Sequence, residues 1–170
     1  MAGELASQRP PQQLSLRLQD SRAELMAAIT GLDDSAFRAR PRSGAWTPAE
    51  LLAHLLSTER IFIARARGAI EQDSYLVTPV SDYVREEHLG MAKRMPVPQL
   101  VHGLLAQRRQ TLQFVESLSP DDLARTLSHP TRGQQTTLWQ IEHVIEHEVE
   151  HAREIHAQRA AAAQPQEAIP

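Results

Sequence analysis

Eight histidines lie in this chain, at positions 54, 88, 102, 129, 143, 147, 151 and 156. Scattering eight at random over 170 positions would give about 0.3 pairs four residues apart, whereas His143, His147 and His151 supply two such pairs. On a helix, residues at that spacing differ by about 40° in direction and about 6 Å in height, so two imidazoles converge on one ion. Three rings stacked over two turns span about 12 Å, too far for a single ion. The chelating pair is therefore His147 and His151, with His143 expected at the rim or behind a ligand. Two protein ligands rarely hold a metal, so a third must come from a distant segment. His54 is the best candidate, because it sits between Leu51 and Leu55 on the side continued by Thr58 and Phe62 and so faces inward. Each ring has an ordinary alternative: a hydrogen-bonded core histidine for His54, and an exposed acidic face for the pair. Their joint occurrence favours the metal.

His147-Glu148-Val149-Glu150-His151 also matches HExxH, in which a glutamate beside two helical zinc ligands activates water. That chemistry needs a further ligand downstream and a sheet edge for substrate. Only His156 follows, no glycine turn intervenes and no upstream segment reads as a strand. Glu148 would act as a base only by turning toward the ion, and its acidic neighbours suggest a solvated face. Arg108 and Thr111 interrupt the apolar row Val101, Leu104, Val115. The guanidinium either receives a substrate carboxylate or orients an acidic partner of a ligand, or, in the favoured structural reading, pairs with a glutamate on helix two or four or snorkels to water. Trp46 and Trp139, near two helix starts, read as packing anchors.

The elements that must position these groups are helical. Leu14, Leu16, Leu18, Leu25, Met26 and Ile29 recur at mostly helical spacing before Gly31, giving helix one with a glycine terminator. Thr47-Pro48-Ala49-Glu50 satisfies three start preferences at once and opens helix two, which runs to about residue 70. Val97, Leu104, Leu112 and Val115 mark helix three, ending before Ser119-Pro120. Thr137-Leu138-Trp139-Gln140 reads as a second capping box opening helix four. The connection over 72–96, with a short helix expected over 82–94, is long for a bundle loop and fits a segment that covers something. Nothing reads as a strand. The expected fold is all-α, an antiparallel four-helix bundle with a long crossover between helices two and three. Acidic turns at Leu32-Asp33-Asp34 and Pro120-Asp121-Asp122 precede the two capped helices and hint at related halves.

Composition sets the outer bounds. At 170 residues and 19.0 kDa the chain is one domain's worth. The expected division is a flexible segment over 1–11, the bundle over 12–158 and a disordered tail over 159–170. A net charge of −3 argues against a nucleic-acid partner. No apolar run is long enough to span a bilayer, and the first residues lack the pattern of a secretory signal, so a soluble cytoplasmic protein is expected. The absence of cysteine leaves only nitrogen and oxygen ligands for any metal and requires any thiol to arrive with a cosubstrate.

Two blocks of the chain resemble the DinB/YfiT-like superfamily of helical-bundle metalloproteins. Trp46-Thr47-Pro48-Ala49-Glu50-Leu51-Leu52-Ala53-His54 is similar to its W-[S/T]-P-x-E-hydrophobic-x-x-H opening of helix two. His129-Pro130-Thr131-Arg132-Gly133, Thr137-Leu138 and His147-x-x-x-His151-x-x-Glu154 resemble its C-terminal block, where Gln commonly stands at the position of Glu154. The resemblance implies a divalent metal on His54, His147 and His151, with zinc or nickel ahead of iron. It also implies a frequent homodimer and an environment around the ligands that Glu154 would alter. Relatives include low-molecular-weight-thiol-dependent transferases and isomerases and proteins called hydrolases. Three neutral imidazoles leave a coordination position open, where water is acidified toward hydrolysis or a small thiol toward thiolate. The expected function is a metal-dependent thiol S-transferase or related small-molecule transferase or hydrolase. The competing reading is a non-catalytic metal-binding bundle with a stress-response or interaction role.

Overall fold

The structure, a computed structural model, describes residues 10–41, 43–79 and 82–163. Most of the expected N-terminal segment and the tail beyond residue 163 lie outside these. The elements are α1 (Pro10–Ile29), α2 (Asp34–Arg38), α3 (Pro48–Glu71), β1 (Tyr75–Leu76), α4 (Asp82–Arg94), α5 (Val97–Glu116), α6 (Pro120–Ala124), β2 (Thr126–His129), β3 (Gly133–Thr136) and α7 (Thr137–Ala162). Helices one to four of the sequence are α1, α3, α5 and α7. The first begins ahead of residue 12 and the last runs on past residue 158.

Local chemistry explains the boundaries. Thr47 accepts from the Glu50 N–H while the Glu50 carboxylate accepts from the Thr47 N–H, and Pro48 fills the first turn of α3. Gly31, with φ of +81°, follows α1 in a conformation that costs a side chain strain. Both acidic turns are one-turn helices, α2 capped by Asp33 and α6 by Ser119. Helix α7 departs from expectation by one residue. Its cap is Thr136, which accepts from the Trp139 N–H, while Thr137 is the first helical residue and fully buried. Gln140 donates instead to the side chain of Gln135.

The four long helices form one bundle in which α1 packs on α5 and α7, and α3 packs on the same two, so chain neighbours α1 and α3 lie diagonal. Side-chain pairings fix the directions. Arg17–Glu142, Arg22–Glu148 and Arg159 to the Ala28 carbonyl step upward together, so α1 and α7 are parallel. Gly103 against Leu56 and Arg108–Glu59 make α3 and α5 parallel. His54–His147 with Phe62–His143 makes α3 antiparallel to α7. A parallel α3/α5 pair explains the long crossover. The 24 residues of α3 rise about 36 Å, and the chain must travel back along them before α5 can start. Helix α4 makes that return while packed on α3.

The expectation that no strand occurs is corrected. Strand β2 pairs antiparallel with β3 and parallel with β1 in a three-stranded sheet. Its strands are two to four residues long, too short to show an alternating pattern, and Gln134 and Gln135 carry little strand preference. Pairing arises because a turn with Gly133 at φ of +71° folds β3 back on β2, and Tyr75 packs where Gly68 leaves no side chain on α3.

Two apolar clusters fill the bundle. One gathers Leu25, Leu52, Leu56, Leu100, Leu104 and Ile155; the other gathers Leu18, Ile63, Phe114, Val115 and Ile141. Between them lies a buried layer of four charges, one from each long helix: Arg22, Glu59, Arg108 and Glu148. Arg22 bonds Glu59 at 2.8 Å and Glu148 at 2.6 Å, while Arg108 bonds Glu59 at 2.9 Å and Glu148 at 2.8 Å. Ser21 donates to Glu148, and the remaining guanidinium hydrogens reach the Leu18 and Leu104 carbonyls. Burial alone would raise the Glu59 carboxyl, but the charge and hydrogen bonds of Arg108, with the charge of Arg22, hold it below the usual carboxylate range.

Candidate metal centre

The capping box that starts α3 sets the phase of the helix. His54 follows Thr47 by two turns, and its ring meets α7 where the antiparallel packing presents His147 and His151. The Nε2 atoms of His54 and His147 stand 3.2 Å apart, those of His147 and His151 3.1 Å, and ligand atoms of all three fall within 4.8 Å of one another. Tetrahedral bonds of 2.0–2.1 Å to one ion would separate neighbouring donor atoms by about 3.3 Å. The donor set fits a divalent ion in geometry and chemistry.

Protonation agrees with that fit. His151 Nδ1 lies 2.9 Å from Glu154 Oε2, so this nitrogen carries the hydrogen and donates it, leaving the Nε2 lone pair facing the other rings. Burial first, then the charges of His151, His54 and His143, push His147 down to about 3. It is neutral at pH 7, as a ligand must be. Lone pairs facing each other at this range repel unless a cation lies between them. Trp46 packs edge-on against His54 with centroids 4.9 Å apart, and its carbonyl accepts from Gln158, whose amide also reaches Glu154.

The three rings border an open cavity of about 430 Å³. His143 stacks on Trp139 and on His147 and forms a wall of the cavity with Phe62. Glu154 contacts His151 directly. Three other candidates fall elsewhere. Arg108 pairs with Glu59 on α3 and Glu148 on α7, Thr111 is fully buried against the same layer, and none of Arg108, Thr111 or Glu148 lines the cavity. Glu148 is 1% exposed, which corrects the solvated face expected of it and removes it as a water-activating base. Helix α7 buries two faces, one against α1 and one against α3, so residues about 100° apart are both turned inward and meet different neighbours.

Several cavity groups had no assigned role in the sequence. The crossover covers the site through α4, whose His88 is 5% exposed and stands 5.9 Å from His54, ring to ring. The β2–β3 turn delivers His129, Thr131 and Arg132, and Arg65 completes the wall on α3. A signal for Arg65 existed in the helical stripe His54, Thr58, Ile61, Arg65. Trp46, expected only to anchor packing, also lines the cavity.

Comparison with known proteins bears on this architecture. A "Putative metal-dependent hydrolase" of Bacillus mycoides strain KBAB4 is 25% identical over 118 residues, spanning 69% of this chain and 66% of that protein, slightly under two thirds of its length. Among solved structures, YfiT from Bacillus subtilis, described as a probable metal-dependent hydrolase with an unusual four-helix bundle topology, superposes with a TM-score of 0.73 at 18% identity, over 91% of this chain and 90% of that one. A mycothiol-dependent maleylpyruvate isomerase gives a TM-score of 0.72 at 13% identity, over 86% of this chain and 61% of that one. At these identities the structures speak for the fold. The DinB superfamily profile matches residues 17–155, a span that includes all three converging histidines, and the chain belongs to that superfamily.

Proposed function

We propose that this protein is a divalent-metal-dependent enzyme acting on small molecules, of the low-molecular-weight-thiol S-transferase or related transferase and hydrolase class. His54, His147 and His151 hold the ion, with zinc or nickel preferred over iron. The observation that carries the reading is the convergence of three Nε2 atoms within 4.8 Å at the edge of an open cavity of about 430 Å³. A closed structural site would spend its remaining positions on protein groups. When bound, the ion supplies Lewis acidity to whatever small molecule enters from the cavity side. The chain's own residues do the rest. Glu154 fixes the tautomer of His151, Trp46 sets the plane of His54, and Phe62, His143 and Trp46 present apolar surface that keeps bulk water from a bound substrate. We extend the proposal, on the family resemblance, to a cytoplasmic homodimer.

Elemental analysis of the purified protein, followed by a screen pairing small thiols with electrophiles, tests the assignment. The expected result is close to one equivalent of divalent metal and turnover that a chelator abolishes and the metal restores. Metal-free protein whose melting does not respond to zinc, nickel or iron would overturn the metal centre. Stoichiometric metal with no small molecule entering the cavity would replace the enzyme with a non-catalytic bundle.

A further inference from the structure

The wall of the cavity away from the histidine triad is positively charged and uncompensated. Arg65 is 6% exposed and Arg132 stands on the β2–β3 turn, and both line the cavity. Among the described residues, neither guanidinium has a carboxylate within ion-pairing distance, and no Asp or Glu lines the cavity. Arg65 lies over the face of Phe62, 5.2 Å from its centroid, with Tyr75 as its other favourable electrostatic neighbour. Arg22 and Arg108, equally buried, are each paired with two glutamates. Burying a guanidinium without a counter-ion is costly, and an anion from solution relieves that cost.

Two further groups face the same space. The Thr131 N–H donates to His129 Nδ1 at 3.3 Å, which leaves the ring hydrogen of a neutral His129 on Nε2 as a donor. His88 Nε2 is buried with no hydrogen-bond partner among the described residues. The charges of Arg65 and Arg132 also reach their neighbours: with burial as the larger cause, they hold His129 and His143 below the ordinary histidine value.

We infer that Arg65 and Arg132, with His129 beside them, form an anion-recognition subsite for the carboxylate or phosphate group of a small-molecule substrate. The apolar body of that substrate lies along Ile61 and Phe62 toward the histidine triad. The inference rests on the reading of this cavity as a substrate site and adds the substrate's class. Helix geometry supplies the length. Arg65 follows His54 by eleven residues, about three full turns, so the two share a face of α3 with Cα atoms roughly 16 Å apart. Helical side chains lean toward the N-terminus, which carries the Arg65 guanidinium back toward the triad. A single ring on a short linker fits that interval and a cavity of about 430 Å³.

Calorimetric titration of metal-free and zinc-loaded protein with 4-phenylbutyrate, 4-phenylbutyl phosphate and the neutral 4-phenylbutanamide tests the subsite. At least one anion should bind metal-free protein about tenfold or more tighter than the amide, and the tighter anion identifies the group recognised. Arg65→Gln and Arg132→Gln should each weaken that anion by about 10- to 100-fold, with Arg65→Lys intermediate because it keeps charge and loses the fork. His54→Ala should reduce zinc affinity by more than about 100-fold, while Arg132→Gln, away from the triad, should leave zinc affinity within about twofold. Should Arg65→Gln fail to fold, Arg132→Gln, on an exposed turn, decides alone. Equal affinity for acid and amide, no anion binding, or unchanged anion affinity in the glutamine variants would overturn the subsite. Binding seen only with zinc and lost in His54→Ala puts the anion on the metal, overturning the subsite and keeping the metal centre. Intact anion binding in a protein that takes up no metal keeps the subsite and removes the centre.

Discussion

Helix α7 carries two polar assemblies side by side, one buried and one half-buried, and they are built on opposite plans. On one face Glu148 joins Arg22, Glu59 and Arg108 in a layer whose two positive and two negative charges cancel and whose hydrogen bonds close on each other and on backbone carbonyls. On the adjacent face His147 joins His54 and His151 beside Arg65 and Arg132, with three ring nitrogens converging and, among the described residues, no carboxylate within ion-pairing distance of either guanidinium. A balanced and closed layer asks for nothing from solution and ties four helices in register. An unbalanced and open one gains when a cation or an anion enters it. That contrast separates the structural polar core of this bundle from its binding site.

The largest effect expected from breaking the contrast is on the closed side. Glu148→Ala leaves two buried guanidinium groups sharing the single carboxylate of Glu59, an uncompensated buried charge that should cost about 3–5 kcal/mol, read as a fall in the urea midpoint. A change under 1 kcal/mol would mean that water reaches the layer and that it is not closed. Acid comes next. Folded His147 resists the proton that the unfolded chain accepts, so its contribution is present above the ordinary histidine value of 6.5 and lost as pH falls toward about 3. Urea titrations of chelated protein between pH 7 and pH 4 should show stability declining, and His147→Asn should flatten that decline. A slope unaltered by the substitution removes His147 as its source.

On the open side, His54→Ala should reduce zinc affinity by more than the roughly 10- to 100-fold that loss of an outer hydrogen-bond partner costs, while metal-free melting stays near the parent. Unchanged metal stoichiometry would exclude His54 from the centre. Glu154→Ala should fall within that 10- to 100-fold range, and Glu154→Gln less, since the amide oxygen still accepts from His151 Nδ1. Competition against a chelator of known affinity measures both. The order of these losses matters, because a closed layer answers in stability and an open site in affinity.

Much of this was legible in the residues. Thr47, Pro48 and Glu50 specify the start of α3 through contacts three residues apart, and that start sets where His54 points. The spacing of His147 and His151 specifies a chelate for the same reason. Legibility failed where long-range packing chose between local options. Thr136 and Thr137 are both acceptable caps, and burial of Thr137 in the core decided for Thr136. The run of glutamates around Glu148 reads as one solvated face, yet α7 lies between α1 and α3 and two of its faces are interior. Strands of two to four residues are too short to display the alternation that would reveal them.

Local chemistry alone therefore determined the helices, their capped starts and a pair of imidazoles one turn apart, since each depends on residues within a few positions of one another. Tertiary structure decided what no window of the chain contains. It brought His54 to that pair across 93 positions, ran α3 and α5 in the same direction so that the crossover lies over the site, and paired Arg108 while leaving Arg65 without a counter-ion among the described residues. Charge balance and ligand convergence are sums over groups from different helices, and only packing fixes which groups enter the sum.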